Sequence, residues 1–294
     1  MNMKIFNEDL FKKLNKINMN INFKLSSGTQ GGRKSKAKGV SVEFSDYREY
    51  AAGDDFRRID WNAYGRFDKF FIKVFMEERE GVFNFFIDKS KSMDYGESNK
   101  KDTALKVVGA LSYVAINNLD RVNINTMENG VVKSLKSATG NKGFQRILKE
   151  LESMEFEGTT DLAASIKKRN ISSRGISIVV SDFLNNDGLK TLEDGLKYLA
   201  FKKQEIILVQ ILAEEEINPE FNNEITFIDS ETGENLKMSL TPSLIRDYKN
   251  TLKNYNKEIE ALAKKYGGKF ISVSSSKSIE EIILNDFSKK RVLY

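Results

Sequence analysis

The chain has 294 residues, 40% of them hydrophobic and 30% charged, and contains neither cysteine nor histidine. That length suits one large domain or two modest ones. The two missing residue types exclude disulfides, thiolate and imidazole metal sites, iron–sulfur clusters, cysteine nucleophiles and Ser–His–Asp machinery, so any bound ion must be held by oxygen. The net charge of +5 is uneven: residues 1–40 carry nine Lys/Arg against Glu8 and Asp9, an excess of +7 that leaves residues 41–294 at −2. A basic arm on a near-neutral body argues against a nucleic-acid-binding body.

In chain order, Phe6, Leu10, Phe11, Leu14, Ile17 and Ile21 recur at helical spacing, with Lys12, Lys13 and Lys16 among them. They predict a short amphipathic helix lying on the body. No apolar h-region accompanies these lysines, so no secretory signal is expected. Residues 26–39 (SSGTQGGRKSKAKG) read as a loop, with Arg33–Lys38 either solvated or touching an acidic partner. From residue 81 the pattern is regular. Apolar runs at 81–88, 175–181, 205–212 and 269–273 read as buried strands, and 121–127 with 131–135 as strands joined at Asn129-Gly130. Helices are expected at 103–119, 144–154, 161–171, 188–201, 242–266 and 278–287. The fifth of these has Thr241 as its cap, Pro242 at its first position and Gly267-Gly268 at its end. Residues 225–240 look like a β-hairpin. No run of roughly 18 apolar residues occurs, so no membrane span is expected. The alternation of buried strands and helices implies an α/β fold with a doubly wound, mostly parallel sheet. Its binding site belongs at the carboxyl ends of the strands, near the point where the strand order reverses.

Three loops rich in side-chain oxygen fall at such places: Asp88-Lys89-Ser90-Lys91-Ser92, Gly158-Thr159-Thr160-Asp161 and Ser181-Asp182. Alternation within D-x-S-x-S lets Asp88, Ser90 and Ser92 converge. Hydroxyls and few carboxylates suit Mg²⁺ or Mn²⁺ and neutralise a dication incompletely, so the ion keeps affinity for a partner's Asp or Glu. Local turn capping by the same side chains is the plainer reading of the first loop alone.

D-x-S-x-S followed by Met93, then G-T-T-D, then S-D at a strand end resembles the von Willebrand factor A fold with its metal-ion-dependent adhesion site (MIDAS). The resemblance implies Asp88, Ser90, Ser92, Thr160 and Asp182 as the ion's ligands, the aspartates acting largely through water. Thr160 is preferred to Thr159 because it directly precedes Asp161-Leu162. Further motifs, Gly39-Val40-Ser41-Val42-Glu43-Phe44, Arg48-Glu49-Tyr50, Gly53–Trp61 (GDDFRRIDW) and Ile228–Gly233, resemble the DUF58 family of bacterial von Willebrand A-like proteins. That resemblance implies a cytoplasmic, non-enzymatic adaptor or co-chaperone for a MoxR-type AAA+ ATPase and an unknown client, with no nucleic acid expected. The domains would be an extension over 1–80 and a von Willebrand A-like domain over 81–294.

Lys89 and Lys91 stand where the family has small or neutral residues. They oppose a dication unless both extend into solvent. For GDDFRRIDW, one reading is a structural belt in which Asp54, Asp55 and Asp60 pair with Arg57, Arg58 and Arg48 over a packed Trp61. The other is a partner-binding surface made of Asp54, Asp55, Arg57, Arg58, Asp60 and Trp61. The latter would also serve a metal-free scaffold.

Overall fold

The structure, a computed structural model, describes residues 8–15, 17, 19, 43–76, 81–171, 174–184, 188–219, 225–228, 235–238 and 241–293. The basic loop at 26–39, Gly39–Val42 and Asp229–Gly233 lie outside these residues, as does the side chain of Arg58. The described elements are α1 (Glu8–Leu14), β1 (Glu43–Glu49), α2 (Trp61–Phe67), β2 (Phe71–Met76), β3 (Val82–Asp88), α3 (Lys100–Asn117), β4 (Arg121–Glu128) and β5 (Val131–Ser134). There follow α4 (Gly140–Glu152), α5 (Leu162–Lys168), β6 (Gly175–Ser181), α6 (Gly188–Phe201), β7 (Gln204–Leu212) and α7 (Glu214–Ile217). Last come β8 (Ile225–Ile228), β9 (Asn235–Met238), α8 (Pro242–Lys265), β10 (Lys269–Ser274), α9 (Ile279–Glu281) and a π-helical stretch, Ile282–Phe287.

Two compact units result, one of residues 1–22 with 81–294 and one of residues 23–80. The expected boundary at 80/81 placed the N-terminal helix with the extension, whereas it belongs to the larger unit. Leu10, Leu14 and Met19 explain this, since they are buried in that unit's core beside Phe83, Val108 and Phe287.

In the larger unit the sheet runs β10-β7-β6-β3-β4-β5, parallel throughout except for β5. Counted among these six strands alone, the order is third, second, first, fourth, fifth, sixth, that of doubly wound sheets. It reverses between β3 and β6. Both faces are covered, as continuous apolar strands require. Phe83, Phe85 and Ile87 of β3 face one core with α1, α3 and α4, while Phe86 faces another with α5, α6 and α8. Asn84 interrupts the apolar pattern of β3 and is satisfied within the sheet: its amide donates to Gln204 Oε1 at 3.3 Å and its oxygen accepts from Asn123 Nδ2 at 3.0 Å. Asp120 holds the start of β3, accepting Gly81 N at 2.9 Å. A Cβ on Gly81 would lie 2.8 Å from that carboxylate oxygen, so the close approach requires glycine.

The expected hairpin is present as antiparallel β8 and β9. The second unit was not anticipated as secondary structure. Antiparallel β1 and β2, with a register shift between Phe44 and Asp46, flank α2. Charged residues interrupt alternation along this ribbon, which hides its strand character. Among the described residues no helix is long and apolar enough to cross a membrane.

Candidate functional site

The order reversal brings the carboxyl ends of β3 and β6 side by side, with Ile87 opposite Val180. Asp88 and Ser181 therefore end neighbouring strands, and Ser181 is in turn paired with Gln210 of β7. Asp88 is buried. One carboxylate oxygen accepts Ser90 N at 2.9 Å and the other accepts Ser181 Oγ at 2.5 Å. The Thr160 hydroxyl lies close enough to the same carboxylate to lower its pKa, while its proton is donated to Met127 O at 3.2 Å. Burial, together with the nearby Asp182 charge, pushes the Asp88 carboxyl up from its ordinary value, although these hydrogen bonds oppose the shift.

Beyond β3 the chain turns through Lys91–Met93, with Met93 buried beneath. The turn sets Ser90 Oγ 3.0 Å from Ser92 Oγ, so the alternating hydroxyls do converge. Lys91 N donates to Gly158 O at 3.0 Å and Glu157 N to Lys89 O at 2.8 Å, which ties the first loop to the second. Gly158 adopts φ 72°, and a Cβ there would meet Asn129 Oδ1 at 2.9 Å. This glycine lets the Thr159-Thr160 segment fold against the β4–β5 turn. Thr159 is exposed and its hydroxyl lies 3.3 Å from Asn129 Oδ1, so Thr160 and not Thr159 turns toward Asp88. Asp161 is used locally: it caps α5 by accepting Ala164 N at 2.8 Å.

Asp182, on the loop after β6, is also buried. It accepts Leu184 N at 3.1 Å, and Gln210 Nε2 donates to its main-chain oxygen at 3.0 Å. Its remaining partner was not foreseen. Lys100, at the start of α3 and 0% exposed, places its ammonium 2.9 Å from Asp182 Oδ2 and 2.7 Å from Glu216 Oε1 of α7. Burial would lower the Lys100 ammonium, but the Asp182 and Glu216 charges outweigh it and hold the group above its ordinary value. No sequence pattern marks this lysine for burial, since it stands among the polar residues that open a helix.

The two lysines expected to oppose an ion are handled separately. Lys89 pairs with Glu128 at 3.1 Å, and Lys91 is exposed. The structure thus gathers Asp88, Ser90, Ser92, Thr160 and Asp182 at one rim, with Asp182 committed to Lys100. Among the described residues no three acidic side chains cluster to hold a metal, so an ion here would depend on the hydroxyls. The donor set fits a hard dication. Asp88 supplies a carboxylate that Lys100 does not pair with, and Ser90, Ser92 and Thr160 add hydroxyl oxygens of the type Mg²⁺ and Mn²⁺ take.

In the smaller unit the belt is assembled differently from the paired arrangement. Arg48 and Asp54 form a bidentate pair at 2.9 and 2.8 Å, and the arginine holds the Asp54 carboxyl below its ordinary value. Asp55 and Asp60 cap instead. Asp55 accepts Arg57 N at 3.0 Å, while Asp60 accepts Asn62 N at 2.9 Å and the Tyr47 hydroxyl at 2.8 Å. Trp61 is 62% exposed, not packed beneath the belt. It meets Tyr64 and Phe70 edge-on, and those two rings stack with centroids 4.6 Å apart. With Phe56 and Phe67 also largely exposed, this unit presents an aromatic surface.

Residues 46–258 match the family described as "Protein of unknown function DUF58". The chain belongs to that family. This DUF58 chain is 20% identical over 286 residues to "Uncharacterized protein Rv1480" of Mycobacterium tuberculosis, covering 95% of the chain and 89% of the relative. Similar solved structures include the conserved hypothetical protein BatB from Bacteroides thetaiotaomicron, at 16% identity and TM-score 0.44, over 71% of this chain and 98% of that one. Another is the VWA domain of SpRpn10, at 12% identity and TM-score 0.43, over 70% and 95% respectively. The doubly wound architecture of the DUF58 chain stands on its own strand order and register.

Proposed function

We propose that this DUF58 chain is a cytoplasmic, non-enzymatic protein–protein interaction module that captures a partner's Asp or Glu through a divalent cation at the β3/β6 rim. Mg²⁺ or Mn²⁺ would be held by Asp88, Ser90, Ser92 and Thr160, with Asp182 in the surrounding shell. The observation that carries this reading is the meeting of three separate loops on the Asp88 carboxylate and its neighbouring hydroxyls. A hydroxyl-rich set leaves the ion with unspent charge and an affinity for one more carboxylate. The motif resemblance extends the proposal to an adaptor or co-chaperone role beside a MoxR-type AAA+ ATPase and its client.

The test uses the full chain and the candidate ATPase. Capture in Mg²⁺ should be lost in EDTA, and Asp88→Ala/Ser90→Ala should bind weakly in both buffers. If the double variant matched wild type in both, the metal-dependent reading would be wrong.

One observation favours a second reading. The exposed rings of Phe56, Trp61 and Phe67 suit a metal-free scaffold that binds through the GDDFRRIDW segment, since large exposed apolar patches mark interaction surfaces. Capture on that route would survive EDTA and fall on Trp61→Ala.

A further inference from the structure

Lys100 is a buried charged side chain at the rim that an ion site by itself does not explain. It occupies the first turn of α3, directly after the cap Asn99, whose side-chain oxygen accepts Lys101 N at 3.0 Å. An ammonium at that end of a helix opposes the helix dipole. Full burial also removes its hydration. Neither the helix nor the apolar core therefore favours a lysine here. What holds it is the pair of carboxylates: Asp182, which faces the ion site, and Glu216, which approaches from α7. Glu216 is itself fixed, accepting Ala213 N at 2.7 Å. Its neighbours are fixed too. Glu215 accepts Glu97 N at 2.8 Å, and Glu214 accepts Ser274 Oγ at 2.9 Å. The ammonium is thus held between two fixed carboxylates with its side chain 1% exposed.

We propose that Lys100 is a built-in competitor of the divalent cation, whose ammonium holds Asp182 and so sets how tightly the rim binds Mg²⁺ or Mn²⁺. The inference rests on the metal-dependent reading above. With Lys100 present, the ion relies on Asp88 and the hydroxyls of Ser90, Ser92 and Thr160. Without it, Asp182 is released toward the ion and a nearby like charge disappears, and both changes favour binding. Lys89 and Lys91 do not serve this purpose, because Lys89 is spent on Glu128 and Lys91 is exposed.

Mn²⁺ titrated into the full chain, with bound ion read by electron paramagnetic resonance and by calorimetry, tests the proposal. Three proteins are compared: wild type, Lys100→Met, and Lys100→Met/Glu216→Gln. The double variant removes one of the two carboxylate charges that Lys100→Met strands, leaving Asp182 for the ion, so it keeps the test open should the single variant fail to fold by circular dichroism. The folded variant is expected to bind Mn²⁺ at least about tenfold more tightly than wild type. Equal or weaker binding by the folded variant overturns the proposal, as does absence of binding in every protein. Binding by the variant but not by wild type supports the role of Lys100 and removes the ion from the native function. Equally tight binding by all three keeps the ion and discards the competitor.

Discussion

At the β3/β6 rim, Lys100, Asp182 and Glu216 are withdrawn from solvent and satisfy one another, whereas in the smaller unit Arg48 and Asp54 pair in the open and Trp61 stands exposed. The two regions carry similar residue types under different physical rules. A buried charge that loses its partner keeps its full desolvation penalty, while an exposed one regains water. Perturbing the rim should therefore affect stability and ion binding together. Perturbing the exposed side chains of the belt, Asp54 and Trp61, should change folding little.

The sharpest way to break that contrast is Lys100→Met, which strands Asp182 and Glu216. Loss of one member of a buried ionic set costs about 3–5 kcal/mol, readable as a lowered urea midpoint. A midpoint equal to wild type would mean the triad is less buried than described. Next in size is Asp60→Ala, which removes the α2 cap and the Tyr47 hydroxyl bond. It should cost about 1–2 kcal/mol, as cap losses do, and its signature is faster amide exchange in residues 61–67. Asp161→Ala should cost about 1 kcal/mol through the α5 cap, checked by the same denaturation series. The smallest effect belongs to Asp54→Ala: the Arg48 pair is exposed, and thermal melting should not change measurably. Trp61→Ala likewise should leave melting unaltered, so any loss of partner capture in that variant assigns the exposed aromatic surface to binding.

Much of the larger unit was readable before any coordinates. The apolar runs of β3, β6, β7 and β10 and the capped start of α8 at Thr241-Pro242 carry strong local signals, and all lie where expected. The oxygen-bearing loops were legible too, because alternation within D-x-S-x-S and the strand-end position of Ser181-Asp182 constrain where side chains point. Burial of a lysine was not. Lys100 differs from Lys101 only through what β6 and α7 bring to it, and that is long-range information. The smaller unit was hidden for a related reason. Its strands mix charged and aromatic residues without regular alternation, and Trp61 fitted both packing and partner binding by type, whereas its neighbours leave it exposed.

The central claim is that hydroxyls and a carboxylate from three loops form one cation site. Direct Mn²⁺ binding to the full chain, compared with a Ser90→Ala/Ser92→Ala protein of equal thermal stability, tests it with no partner needed. Saturable binding by the native chain that disappears in the double variant is expected. Identical titrations of the two proteins, or a native chain that takes up no Mn²⁺, would contradict it.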